Sequence, residues 1–176
     1  MNKIVLSCLL GAFVAAAPEA DLVQSLPDAP AFDTPTYSGY LTVTETKKLH
    51  YMFAESMHDP ANDPVIIWFN GGPGCSSMLG FMQENGPRII DDGETNVKKN
   101  PYPWNQKASV MWLESPAGVG FSLAGEDDLS QNDMTTSEDA IVALRDWYTK
   151  FPEFAQNKLF VSGESYAGIY VPYLAW

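Results

Sequence analysis

KLFVSGESYAGIYVPYLAW, residues 158–176, changes character in its middle. KLFVSG (158–163) is a short apolar run, β-branched and aromatic, and reads as a strand. ESYAG breaks it, and IYVPYLAW reads as the first turns of a helix. Ser165 therefore falls in a strand-to-helix turn, inside GESYAG (163–168). A serine at the tip of such a turn has strained backbone angles, and its neighbours must be small so that strand and helix can pass closely. Gly163 and Ala167, two residues either side, meet that need, with Ala where Gly is usual. The turn lifts the hydroxyl above the sheet, and the helix N-terminus behind it favours developing negative charge. On these residues alone, an activated nucleophile and an ordinary loop serine stand about equal.

Two strands of similar kind lie upstream. VIIWFN (65–70) is apolar throughout, as a strand covered on both faces must be, and SVMWLE (109–114) repeats the pattern. GGPGCSS (71–77) follows the first. Its glycines let backbone N–H groups point into open space, where an oxyanion needs donors. In a hydrolytic arrangement one donor is the amide after the nucleophile, Tyr166, and the other comes from such a glycine-rich loop, with Gly72 the candidate. A phosphate loop is excluded, because no Lys follows Gly74. SSMLGFMQEN (76–85) reads as a helix with Met78, Leu79, Phe81 and Met82 apolar, capped by Ser76 or Ser77 and stopped by Gly86-Pro87. Residues 88–108 read as polar and irregular. After SPAGVGFS (115–122) and an acidic loop, Thr135 and Glu138 suggest a capping box for a helix carrying Ile141, Leu144, Trp147 and Tyr148. At the other end, a Pro-rich arm (21–38) leads into YSGYLTV (37–43) and LHYMFAES (49–56), a hairpin joined by ETKK (45–48). Strands alternating with helices, after an antiparallel hairpin, give an α/β sheet.

The chain has 176 residues, 45% of them hydrophobic, enough to fill one core. Its 10 Lys and Arg against 22 Asp and Glu give a net charge of −12. That surface repels phosphate backbones and anionic lipid, so nucleic acid is not an expected partner. MNKIVLSCLLGAFVAAAPEA (1–20) has the make-up of a secretory signal peptide, with cleavage after Ala16 or Ala20. The expected product is luminal or secreted, without stable membrane insertion. Removal of Cys8 leaves Cys75 alone, as a buried thiol or as half of a disulfide whose partner is absent from this chain. No cysteine–histidine cluster supports a metal site, and no cofactor is expected.

WFNGGPGCSSMLGFMQENGP (68–87), NPYPWN (100–105), LESPAGVGFS (113–122), FPEF (151–154) and KLFVSGESYAGIYVPYLA (158–175), in this order, resemble the serine carboxypeptidases, nearest in look to those of the cathepsin A type. SGYL (38–41) and LHYMFAES fit that family's N-terminal hairpin. The resemblance implies an α/β-hydrolase fold, incomplete here: over residues 21–176, the N-terminal part of a mixed, mostly parallel sheet with an antiparallel N-terminal hairpin. It implies Ser165 as the nucleophile and Gly72 and Tyr166 as oxyanion donors. Asn70, Gly71 and Glu164 would hold the C-terminal carboxylate of a peptide, with Trp68 in support and Glu84 as the carboxyl partner of Glu164. Cys75 resembles the family cysteine bonded to a distant, later one. The expected substrates are peptide or protein C-termini. For a longer chain the resemblance admits a homodimer or a luminal hydrolase partner, in a lysosome or vacuole or outside the cell.

Two carboxyls in contact cannot both ionise cheaply, so one of Glu84 and Glu164 should stay protonated and bind chain ends best in acid. A serine hydrolase also needs an acid and a histidine, which follow the nucleophile in α/β-hydrolases. Only eleven residues follow Ser165, none of them Asp, Glu or His. His50 and His58, the only histidines, read as structural or solvated. The expectation is an N-terminal part of the domain, inactive as a peptidase on its own, poorly folding and with an open sheet edge. Acyl transfer or ester hydrolysis on the same scaffold is the alternative chemistry; a non-catalytic binding or protective protein is the alternative class.

Overall fold

Every position of the run 65–69 is apolar because both of its faces are covered. In the computed structural model, which describes residues 17–176, Val65–Phe69 forms β3 of a five-stranded sheet. Ile67 and Phe69 pack with one apolar cluster and Trp68 with the other, so alternation of the strand feeds two cores. The signal-peptide reading rests chiefly on residues 1–16, which lie outside the described residues.

The hairpin forms as expected: β1 (Thr36–Thr42) pairs antiparallel with β2 (Lys48–Ala54). β6 (Ser109–Leu113) lies antiparallel to β2 and parallel to β3, and β7 (Leu159–Gly163) lies parallel to β3 at the edge. The order is β1-β2-β6-β3-β7, with two antiparallel and two parallel contacts. Residues 88–108 are less irregular than the sequence suggests: β4 (Arg88–Ile89) and β5 (Lys98–Lys99) make a small ribbon too short to show any alternation.

α1 (Asp133–Lys150) covers one face through Ala140, Ala143, Leu144 and Trp147. Trp147, Phe151, Phe154, Phe53 and Tyr37 meet there at centroid distances such as 5.1 Å for Trp147–Phe53 and 5.2 Å for Phe53–Phe154. Edge-on aromatic pairs of this kind add about 1 kcal/mol each beyond the burial itself. The helix starts one turn earlier than the box of Thr135 and Glu138 would set it. Asn132 is the N-cap: its side chain accepts from the Met134 and Thr135 amides, and the Thr135 hydroxyl accepts from the Asn132 amide in return. Thr135 thus serves as the third helical residue rather than the cap.

On the other face Phe81, from the segment 76–85, packs edge-on against Trp112, with Trp68 in the same cluster. That segment is helical, but its last turn, Gly80–Glu84, is wide: the Asn85 amide donates to the Gly80 carbonyl at 2.9 Å, five residues back. Asn85 also accepts from the Trp112 indole at 2.7 Å, which fixes the turn to the sheet. α2 (Ala167–Ala175) leaves β7 through the Ser165 turn. Among the described residues no helix is long and apolar enough to cross a membrane.

Candidate active site

β3 and β7 run side by side and end together, Phe69 opposite Gly163. The loops that leave them must therefore meet. Ser165 has φ +57°, the left-handed region that costs a non-glycine residue roughly 1–2 kcal/mol. Such a corner persists only where its surroundings enforce it, and here they do. A Cβ on Gly163 would lie 2.5 Å from both the Ala167 Cβ and the Phe69 carbonyl oxygen, so strand and helix close on each other only with glycine there. The Glu164 amide donates to the Phe69 carbonyl at 3.2 Å, and the Ala167 amide to the Glu164 carbonyl at 3.0 Å.

The loop after β3 rests on this corner. A Cβ on Gly71 would sit 2.5 Å from the Tyr166 amide nitrogen and 2.9 Å from the Ser165 Cβ. The two glycine-bearing loops, some ninety residues apart in sequence, are thus in van der Waals contact at the serine. Gly71 to Cys75 is a turn, closed by the Cys75 amide donating to the Gly71 carbonyl at 3.0 Å. Ser77 Oγ accepts from the Asn70 amide at 3.1 Å, and Ser76 Oγ accepts from the Met78 amide at 3.1 Å. Ser76 is therefore the cap of the following helix, while Ser77 ties the loop back to β3. Tyr166 is held in place by its hydroxyl, which donates to Asp133 at 3.0 Å. Cys75 is a half-buried free thiol among the described residues.

Asn70 is the junction of the polar groups. It is almost wholly buried, and its Oδ1 accepts from the Trp68 indole at 2.9 Å and the Gly80 amide at 3.1 Å. Its Nδ2 faces two carboxylates, Glu84 at 2.9 Å and Glu164 at 3.5 Å. Burial raises the Glu84 carboxyl above its ordinary range and the charge of Glu164 adds to the rise, while the bond from Asn70 opposes it. The structure thus brings Trp68, Asn70, Gly71, Gly72, Glu84, Glu164, Ser165 and Tyr166 to one place. The arrangement offers an exposed hydroxyl, the Tyr166 amide beside it and, on the far side of Asn70, a carboxyl whose ionisation burial disfavours. No histidine stands with them: His50 is bonded to Ser38 and Glu114, and His58 to Asp63.

The family model for serine carboxypeptidases matches residues 27–176. The chain belongs to the serine carboxypeptidase family. It is 48% identical over 163 residues to the lysosomal protective protein of Mus musculus, covering 91% of this chain and 34% of that protein. It is 42% identical over 181 residues to serine carboxypeptidase-like 20 of Arabidopsis thaliana, covering 98% and 36%. Among solved structures, a prohormone-processing carboxypeptidase from Saccharomyces cerevisiae superposes with a TM-score of 0.74 at 25% identity, over 90% of this chain and 37% of that one. An acetyl xylan esterase from Thermoanaerobacterium, at 15% identity and a TM-score of 0.52, shares the fold. The chain spans 34% and 36% of the length of the two curated relatives, a little over a third in each case.

Proposed function

We propose that this chain supplies the nucleophile, oxyanion loop and carboxylate clamp of a serine carboxypeptidase that removes residues from peptide C-termini. The observation that carries the reading is the left-handed Ser165 corner with Gly71 packed against it. Ser165 attacks the carbonyl of the last peptide bond; the Gly72 and Tyr166 amides receive the oxyanion, and an acyl-enzyme forms. Asn70, Gly71 and Glu164 hold the terminal carboxylate, with Trp68 bracing Asn70 and a protonated Glu84 donating where an ionised one would repel. A carboxyl raised in this way favours binding in acid. The base and its orienting acid come from the part of the family's length that this chain does not span, so the 176 residues by themselves hydrolyse no peptide. Cys75 pairs with a cysteine of that same part. Residues 1–20 act as a leader into the secretory pathway, with lysosome, vacuole or extracellular space as the destination.

The test is release of the terminal residue from an N-blocked dipeptide by the full-length protein. Ser165→Ala should abolish it. Undiminished release by that variant, with its fold intact, would remove the proposal.

A further inference from the structure

A second serine in the chain has what Ser165 lacks. Ser38 on β1 and His50 on β2 project from the same face of the hairpin, opposite to the face that packs on α1. Ser38 Oγ lies 2.9 Å from His50 Nε2. On its other side, His50 Nδ1 lies 3.0 Å from Oε2 of Glu114, the residue that follows β6. Glu114 is fully buried, and it also accepts from the Phe121 amide at 2.8 Å and from the Ser76 hydroxyl. Burial alone would raise its carboxyl, but those donors, His50 first among them, bring it below the ordinary range. Glu114 is therefore an ionised acceptor. An ionised carboxylate cannot donate, so His50 Nδ1 carries the proton, and in the neutral ring Nε2 is left to accept from Ser38. Serine, imidazole and carboxylate stand in relay order.

The serine end of this relay opens on a cavity of about 700 Å³ whose lining includes Ser38, His50, Met52, Met78, Phe121 and Lys150. It is mainly apolar, as a pocket for an uncharged acyl or alkyl group would be. At its wall Lys150 Nζ donates to the Tyr40 carbonyl at 2.8 Å and is paired with Asp21 at 3.3 Å, so the two charges there offset each other.

We propose that Ser38, His50 and Glu114 form a second hydrolytic site, separate from Ser165, that takes small uncharged esters with an apolar acyl group. Ser38 Oγ bonds to the ester carbonyl carbon as its proton passes to His50 Nε2. The tetrahedral adduct breaks its bond to the alkoxy oxygen, which leaves as the alcohol with that proton. Water then repeats the sequence on the acyl-serine: His50 takes the water proton and returns it to Ser38 Oγ as the acid departs. Glu114 orients the ring and stabilises the imidazolium at each stage.

The native protein is treated with an alkyl fluorophosphonate and the modified serines are mapped by mass spectrometry, alongside hydrolysis of p-nitrophenyl butyrate. Ser38 should be labelled in the wild type and equally in Ser165→Ala. In the Ser165→Ala background, Ser38→Ala, which removes one hydroxyl from a regular strand, should lose that label and the remaining ester hydrolysis while still unfolding in one cooperative thermal transition. His50→Gln should slow labelling by roughly 100-fold. Label confined to Ser165, no label at all, or ester hydrolysis by Ser165→Ala that is unchanged when Ser38→Ala is added each overturns the proposal. Peptide release by Ser165 is read separately, from the N-blocked dipeptide.

Discussion

Ser165 stands on a left-handed corner at the end of β7, whereas Ser38 sits within β1, a strand at the edge of the sheet. The corner gives Ser165 exposure and neighbouring amides, and both come from local backbone geometry and two glycines. The relay at Ser38 owes nothing to a turn. It comes from register: strand pairing sets His50 diagonally across from Ser38, and the β2–β6 pairing brings Glu114 beside His50. On the proposed readings, one region offers charge stabilisation without a base and the other a base without a strained serine. The two requirements of a hydrolytic serine are thus physically separable, and substitutions can address them one at a time.

The largest separation is expected from Gly71→Ala. The added Cβ would fall 2.5 Å from the Tyr166 amide nitrogen, forcing the loop away from Ser165. Loss of an oxyanion donor costs on the order of 10²–10³ in turnover, so peptide release by the full-length protein should fall by about that factor. Ester hydrolysis at Ser38 should be unchanged. An equal fall in both activities would show general damage and dissolve the contrast.

Glu114→Gln acts on the opposite region. It removes a buried charged acceptor from its bond with the His50 ring and turns an amide toward donors. Its cost should be roughly 3 kcal/mol, read as a lower denaturant midpoint at an unchanged slope. The sign with pH follows from the depressed carboxyl. The folded state releases this proton more readily than the unfolded one, so the stabilisation is present above the unfolded value and fades as pH falls through the folded one. Wild type and Glu114→Gln should converge in acid. A constant gap down to pH 2 would mean that Glu114 is not held ionised.

A smaller effect is expected at the proposed carboxylate clamp. As pH rises, Glu84 ionises and repels a peptide's terminal carboxylate, so KM should climb several-fold between pH 5 and pH 8. Glu84→Gln, which always offers an N–H, should flatten that rise. A KM that climbs equally in the variant would place the titrating group elsewhere.

These two regions were not equally legible in the sequence. β3, β6 and β7 announce themselves as apolar runs, and the Ser165 corner as a serine between small residues at a change of period. Those signals are local. The Asn132 cap was less clear, because Thr135 fits equally as a cap or as the partner of one three residues earlier. The ribbon of β4 and β5 is two residues long on each side and has no period to detect. The relay was hidden for a different reason. His50 read as one more residue in an aromatic strand, and its carboxylate partner lies 64 residues away. Nothing in the spacing of Ser38, His50 and Glu114 reveals them until the pairing of three strands is fixed.

The same substitution at the two serines should have opposite signs, and this is the finest test of the comparison. At Ser165 the left-handed angle costs any residue with a Cβ, so Ser165→Gly relieves strain. It also gives the unfolded chain more freedom, which takes back part of the gain. The net should be a stabilisation of up to about 1 kcal/mol, although the proposed nucleophile is gone. At Ser38 the backbone is ordinary strand. Ser38→Gly relieves nothing, loosens the unfolded chain, and strips His50 Nε2 of its donor in a nearly buried position, for a loss of about 1–2 kcal/mol. Denaturant titrations resolve differences of this size when slopes agree. Two losses of equal size would mean that the corner at Ser165 is not strained in solution, and that exposure of this serine is held by something other than the grip of Gly71 and Gly163.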